Sequence, residues 1–206
     1  MISNTFGGKF IVFEGLDGSG QTTQARLLGQ YFASQGREVL LTKEPTQLDG
    51  QFPSSVAQSL RDVLDKKVKM EAKPLQELFA QDRREHLERE IIPALKSGKL
   101  VICDRYCFSS FAFGAAHGNS MDYLISLNKD FLMPDFTFLL MVSPKICMQR
   151  VVKRNEGVKF FEVEEKLAKT WQQYEEVVRR FPQLQVIDGE RSIEEIHEEI
   201  RFIINK

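Results

Sequence analysis

Residues Phe10 to Thr23 read FIVFEGLDGSGQTT: an apolar run, a glycine-rich turn, then a segment opening on two threonines. The turn fits the pattern G-x-x-x-x-G-K-[ST] at Gly15, Gly20 and Thr22, but Gln21 stands where the pattern has lysine. Phe10, Ile11, Val12 and Phe13 suit a buried parallel strand, and Ala25, Leu27, Leu28, Tyr31 and Phe32 recur at spacings a helix can bury. Strand, glycine turn and helix in this order make a phosphate cradle. Backbone N–H groups and the positive end of the helix face the anion, and the hydroxyl after the lysine position takes Mg²⁺. The same glycines also occur in plain strand-to-helix connections with no ligand. Gln21 keeps N–H donors and removes the charge.

Outward from this stretch, five short apolar runs alternate with helical segments: Lys9–Glu14, Glu38–Lys43, Leu100–Asp104, Phe136–Ser143 and Gln185–Ile187. The alternation predicts an α/β protein, a five-stranded parallel sheet covered by helices on both faces. The first helix is expected to end near Gln35-Gly36, where glycine takes the left-handed conformation. Between Glu71 and Leu95 the spacing of Leu75, Leu78, Phe79, His86, Leu87, Ile91, Ile92 and Leu95 predicts one long helix, kinked at Pro93. Ser192 and Glu195 form a capping box for a last, structural helix with an inner stripe of isoleucines.

The 206-residue chain can bury one substantial core, and a single domain over 1–206 is expected. A formal charge of −1 excludes a globally basic nucleic-acid binder. The start lacks a signal-peptide pattern, and the apolar run Phe136 to Val142 is too short to span a bilayer, so no membrane association and a cytoplasmic location are expected. Cys103, Cys107 and Cys147 sit in apolar surroundings and His86, His117 and His197 are scattered, which suggests neither disulfides nor a zinc site.

The third run ends in Asp104, at the same sheet edge as the glycine turn, where a carboxylate holds Mg²⁺ or its water shell, although such aspartates also cap helices. Asp104-Arg105-Tyr106, with Ser109 and Ala112-Phe113, resembles the D-R-Y/H-x-x-S-x-x-A-Y/F element of thymidylate kinases. Phe-Glu-Gly-Leu-Asp-Gly-Ser-Gly at 13–20, Glu44-Pro45, Leu78-Phe79 with Asp82-Arg83, and Pro134-Asp135 resemble that family's other elements in the family's order.

The resemblance implies a three-layer P-loop kinase fold and transfer of the γ-phosphoryl of ATP·Mg²⁺ to dTMP, on a homodimer. Gly15, Asp17, Gly18, Ser19, Gly20, Gln21, Thr22 and Thr23 would hold the donor phosphates, with Gly189 and Arg191 near the adenine and Thr22 and Asp104 at the metal. On the acceptor side it implies Asp17, Lys43, Glu44, Pro45, Phe79, Arg83, Arg105, Ser109, Ser110 and Phe113. Phe79 would stack on the base and Arg83, four residues on, would donate to its edge, while Arg105 would clamp the phosphate. Many family members have glutamine after the aromatic at 113; Gly114 stands here, so one base contact is missing. Gly18 inside the loop, with Arg150, Lys153, Arg154 and Lys159 clustered later, resembles members whose lid carries the charge, here about 150–160. Catalytic roles fall on Asp17, Arg105, Arg150 and Arg154, and the lid is expected to supply the cation that Gln21 lacks. Another deoxynucleoside monophosphate kinase, and a catalytically impaired nucleotide-binding paralogue, remain the alternative functions.

Overall fold

The computed structural model describes residues 1–47, 54–154 and 160–206, with 154 and 160–163 by backbone alone. In chain order the elements are β1 (Ile2–Ser3), β2 (Lys9–Gly15), α1 (Gln21–Ser34), β3 (Val39–Lys43), α2 (Ser55–Leu64) and α3 (Ala72–His86). A π-turn (Leu87–Ile91) leads into α4 (Ile92–Lys96), followed by β4 (Leu100–Asp104), α5 (Cys107–Ala116), α6 (Met121–Leu127) and β5 (Leu132–Met133). The chain continues with β6 (Phe136–Met141), α7 (Pro144–Arg154), α8 (Phe160–Arg180), β7 (Gln185–Asp188) and α9 (Ile193–Ile204).

The main sheet is parallel throughout, in the order β3-β4-β2-β6-β7. These are the five strands the apolar runs predict. Side chains alternate across a strand, and β2 shows what that does here. Phe10 and Val12 join Val101, Cys103, Phe108 and Phe111 in a core on one face. Ile11 and Phe13 join Ala25, Leu28, Ile102 and Ile200 on the other. All four β2 residues are fully buried, so the sheet is the middle of three layers. Because β2 lies between β4 and β6, the loop after β2 opens at the centre of the sheet edge, where chain order reverses and ligands of open α/β sheets bind.

The predicted long helix is continuous in path but changes type. Ile92 N–H bonds Leu87 O, five residues back, immediately before Pro93. Proline lacks an N–H and its ring crowds the carbonyl four residues earlier, so the wider turn absorbs the misfit. A two-stranded parallel sheet, β1 with β5, was not anticipated, because two-residue strands show no alternation. The capping box is present: Ser192 Oγ accepts from Glu195 N–H, and Glu195 Oε2 accepts from Ser192 N–H at 3.0 Å.

Candidate active site

The glycine turn wraps the N-terminus of α1. Gly20, at the N-cap, has φ 102°, and no side chain caps the first turn, which leaves the N–H groups of Gln21, Thr22 and Thr23 without a side-chain acceptor. Helix N-termini with unspent donors attract anions. The N–H of Ser19, another expected donor, closes a turn onto Leu16 O at 3.0 Å. Gly18 has φ 89°, and a Cβ there would lie 2.7 Å from Cys147 O, so α7 packs directly against the loop. From the same helix Arg150 donates to Gly18 O at 3.2 Å and Ser19 O at 3.4 Å. Gln21 is buried, and its Oε1 accepts from Ser19 Oγ at 3.0 Å. The amide oxygen at the lysine position is thus turned into the loop, with a guanidinium laid against the loop from outside.

Thr22 Oγ1 donates to Asp104 Oδ2 at 2.5 Å, and Lys43 Nζ stands 3.6 Å from the same oxygen. Asp104 Oδ1 is buried with no hydrogen-bond partner among the described residues. A hydroxyl beside a buried carboxylate with an orphaned oxygen is a donor set that fits Mg²⁺ or its water shell. Strand register explains the grouping: Lys43 pairs with Asp104 across β3 and β4, and Asp104 with Phe13 across β4 and β2.

Next to Asp104, Arg105 has φ 74°, a strained conformation for a residue other than glycine. Its backbone N–H holds Phe13 O at 2.9 Å. Its guanidinium spans two parts of the site, donating to Gly15 O at 2.9 Å, Ser109 Oγ at 3.0 Å and Asp17 Oδ1 at 2.7 Å. The fully buried Glu14 organises the turn from below, accepting from Tyr106 N–H at 2.9 Å, from Ser109 N–H at 3.1 Å and from the Ser109 hydroxyl. Burial pushes the Glu14 carboxyl up to about 7, against the lowering pull of those hydrogen bonds and of Arg105.

Beyond Arg105 lies a cleft of about 260 Å³ between α3, α5 and α8. Asp17, Glu44, Pro45, Phe79, Arg83, Arg105, Ser109, Ser110 and Phe113 all line it. Of the expected acceptor residues Lys43 alone is not in this lining; it borders a separate cavity with Thr42, His86 and Glu90. Arg83, expected to donate to a base, is 2% exposed and spends Nε on Glu44 Oε2 at 2.8 Å, Nη2 on Ser110 Oγ at 2.9 Å and Nη1 on Asn128 Oδ1. It borders the cleft as one member of a buried network. His86 belongs to the same network, 3.5 Å from Glu44 in ion contact and 2.9 Å from Glu90. Burial works against its positive charge, but the two carboxylates outweigh that and push it up to about 9.

Leu64, Leu75, Gln76, Tyr106, His117 and Lys166 complete the lining, and none of them was expected from the sequence to be a site residue. For Gln76 the signal was present: with Phe79 and Arg83 it stands at i, i+3 and i+7, one helix face. On the donor side, Gly189 bonds Met141 O at 2.9 Å and follows β7 at the same sheet edge, and Arg191 is ion-paired with Glu199 of α9. The expected lid at about 150–160 falls partly outside the described residues: Arg150 and Lys153 are within them, while the Arg154 side chain and Lys159 are not. The loop after Glu44-Pro45 is described to Gln47.

Among the described residues no helix is long and apolar enough to cross a membrane, and no group of three or more His, Cys, Asp or Glu could hold a metal ion. The three cysteines are free and buried. A family model described as Thymidylate kinase matches residues 13–200, from β2 to within α9. A Pyrococcus horikoshii protein named "Probable thymidylate kinase" is 41% identical over 200 residues, 96% of each chain. One of the same name from Pyrococcus abyssi is 39% identical, again over 96% of each chain. The "Thymidylate kinase" of Caldicellulosiruptor saccharolyticus is 34% identical over 206 aligned positions, 96% of each chain. With a glycine turn on α1, an Asp104-Arg105 turn beside it, and the match running through all five strands of the sheet, this chain belongs to the thymidylate kinase family.

Proposed function

We propose that the chain moves the γ-phosphoryl group of ATP onto dTMP, giving dTDP and ADP, within one domain over 1–206. The observation that carries this is Arg105, whose guanidinium holds Gly15 O of the loop and Asp17 while lining the cleft. One rigid cation therefore joins the donor cradle to the acceptor cleft. In phosphoryl transfer placement and charge do most of the catalysis, so such a bridge is the part the reaction needs.

The N–H groups of the loop and of the first turn of α1, between Gly15 and Thr23, hold the donor phosphates. Gly189 and Arg191 flank the adenine. Thr22 and Asp104 would hold Mg²⁺, with Lys43 balancing the carboxylate. A metal ion bound there would neutralise charge on the phosphate oxygens. In the cleft Phe79 stacks on the base, Phe113 packs on the deoxyribose, and Ser109 and Ser110 are within its wall. Arg83, fixed by Glu44, turns its remaining donor capacity to the base edge, and Pro45 shapes the wall beside it. Arg105 clamps the acceptor phosphate, oriented by Asp17. Arg150, with Arg154, supplies the charge that Gln21 lacks, stabilising the transferring phosphoryl group.

A homodimer in the cytoplasm completes the proposal; three free thiols support the reducing location. The function is tested by measuring ADP formation with a panel of monophosphate acceptors. The highest kcat/KM is expected for dTMP, and a preference for dGMP or UMP would refute the assignment.

A further inference from the structure

Three successive residues of β2 grip the turn between β4 and α5. Phe13 O accepts from Arg105 N–H at 2.9 Å, and Gly15 O accepts from the Arg105 guanidinium at 2.9 Å. Between them stands Glu14, fully buried and out of reach of any ligand. The N-cap residue of α5, Tyr106, makes no side-chain cap of its own. Glu14 Oε1 takes that place from the strand, accepting from the N–H groups of Tyr106 and of Ser109 in the first turn. Glu14 Oε2 accepts the hydroxyl hydrogen of Ser109. Tyr174 of α8 shares its own hydroxyl hydrogen between that oxygen, at 3.3 Å, and Gly15 O, at 3.1 Å. A serine hydroxyl has one hydrogen. With it spent on Glu14, Ser109 Oγ is left as an acceptor, and it takes Arg105 Nη1 at 3.0 Å.

We propose that Glu14 is a positioning residue for the phosphate clamp: through Ser109 it holds the Arg105 guanidinium in place without touching a substrate. The inference rests on Arg105 clamping the acceptor phosphate. The Arg105 backbone is left-handed, with φ 74°, a conformation that persists where the neighbours over-determine it. Glu14 fixes that backbone by capping α5, and fixes the guanidinium by turning the serine hydrogen away from it. The carboxylate behind the serine also strengthens Oγ as an acceptor, because linked hydrogen bonds polarise one another. An amide at position 14 keeps the cap and reverses the rest. Its N–H would donate to Ser109 Oγ, compete there with Arg105 Nη1, and leave no negative charge behind the pair.

The test is calorimetric binding of dTMP and of thymidine, which lacks the phosphate, at pH 8, where the Glu14 carboxyl is ionised. The proteins are the wild type, Glu14→Gln, Arg105→Ala and the double variant, with urea unfolding as the check on folding. Glu14→Gln should weaken dTMP by about tenfold and thymidine by less than about twofold, while unfolding no more easily than the wild type. Added to Arg105→Ala, the same substitution should change dTMP binding by less than about twofold, because the two residues act as one unit. Ser109→Ala, which cuts the link, should reproduce the loss confined to dTMP, and decides the matter should Glu14→Gln fold poorly. Equal losses for both ligands, no loss, or a loss undiminished in Arg105→Ala would overturn the role of Glu14 and mark it as structural. Arg105→Ala that loses the preference for dTMP while Glu14→Gln keeps it would overturn this inference alone and leave the clamp standing. A wild type that binds dTMP no more tightly than thymidine would overturn the clamp and the inference together.

Discussion

Two side chains around the loop after β2 show how a single residue's surroundings set its chemistry. Gln21 has turned its amide oxygen onto Ser19, and Arg150 reaches the carbonyls of Gly18 and Ser19 from α7, so the positive charge at this loop comes from a neighbouring helix. Below the loop Glu14 has no exposure at all, and four polar groups point at it: Tyr106 N–H, Ser109 N–H, and the hydroxyls of Ser109 and Tyr174. Its proton is held more tightly in the folded protein, near 7 against 4.5 for the ordinary carboxyl. Stability on this account falls as pH rises from 4.5 to about 7, and above that range the full cost is on the order of 3 kcal/mol. Glu14→Gln stays neutral and keeps an acceptor oxygen. Urea unfolding from pH 4 to 8 should show the variant gaining on the wild type through that window, and a pH-independent difference would refute the assignment. The prominence of Glu14 was not legible in the sequence, because its partners at 106, 109 and 174 are brought to it only by the fold.

Among the elements, α3 and the π-turn after it carry the most information. The apolar spacing from Glu71 to Leu95 is legible because a single wide turn shifts the helix phase too little to erase it. His86 falls on the inner stripe of that spacing, and there it is 3% exposed between Glu44 and Glu90. Its folded pKa, near 9 against 6.5, means that its stabilisation is complete below pH 6.5 and is lost as pH rises through 9. The amount is on the order of 3 kcal/mol. His86→Gln should flatten the stability profile between pH 6.5 and 9, a range above the Glu14 window; thermal unfolding of both proteins checks it, and an unchanged profile would contradict the pairing. Hydrophobic period placed the residue correctly but gave no hint of its charge. That depended on Glu44, on the far side of the chain segment that carries α2. Likewise Asn128, which takes Arg83 Nη1, is 45 residues from it in sequence.

For the molecule as a whole, the sheet edge was the legible part. Apolar runs bounded by turn residues predict the five main strands, and a parallel sheet necessarily gathers their C-terminal ends. That gathering brings the loop at 15–23, Asp104-Arg105 and the Gly189 turn to one rim. What was not legible is the rest of the cleft's wall, because Leu64, His117 and Lys166 belong to no motif and come beside Phe79 and Arg105 only through the fold. The proposed homodimer should sediment at about twice the 23.7 kDa chain mass, and a monomer at micromolar concentration would contradict it. The central claim is that the kinase works without the loop lysine because Arg150 supplies the charge. A coupled assay of ADP formation at saturating dTMP, comparing wild type with Arg150→Ala and Gln21→Lys, measures this. Turnover by the wild type and a kcat lowered roughly 10²- to 10³-fold in Arg150→Ala, with KM for dTMP within about threefold, are predicted. An undiminished kcat in Arg150→Ala, or a wild type that is silent until Gln21→Lys restores it, would contradict the account.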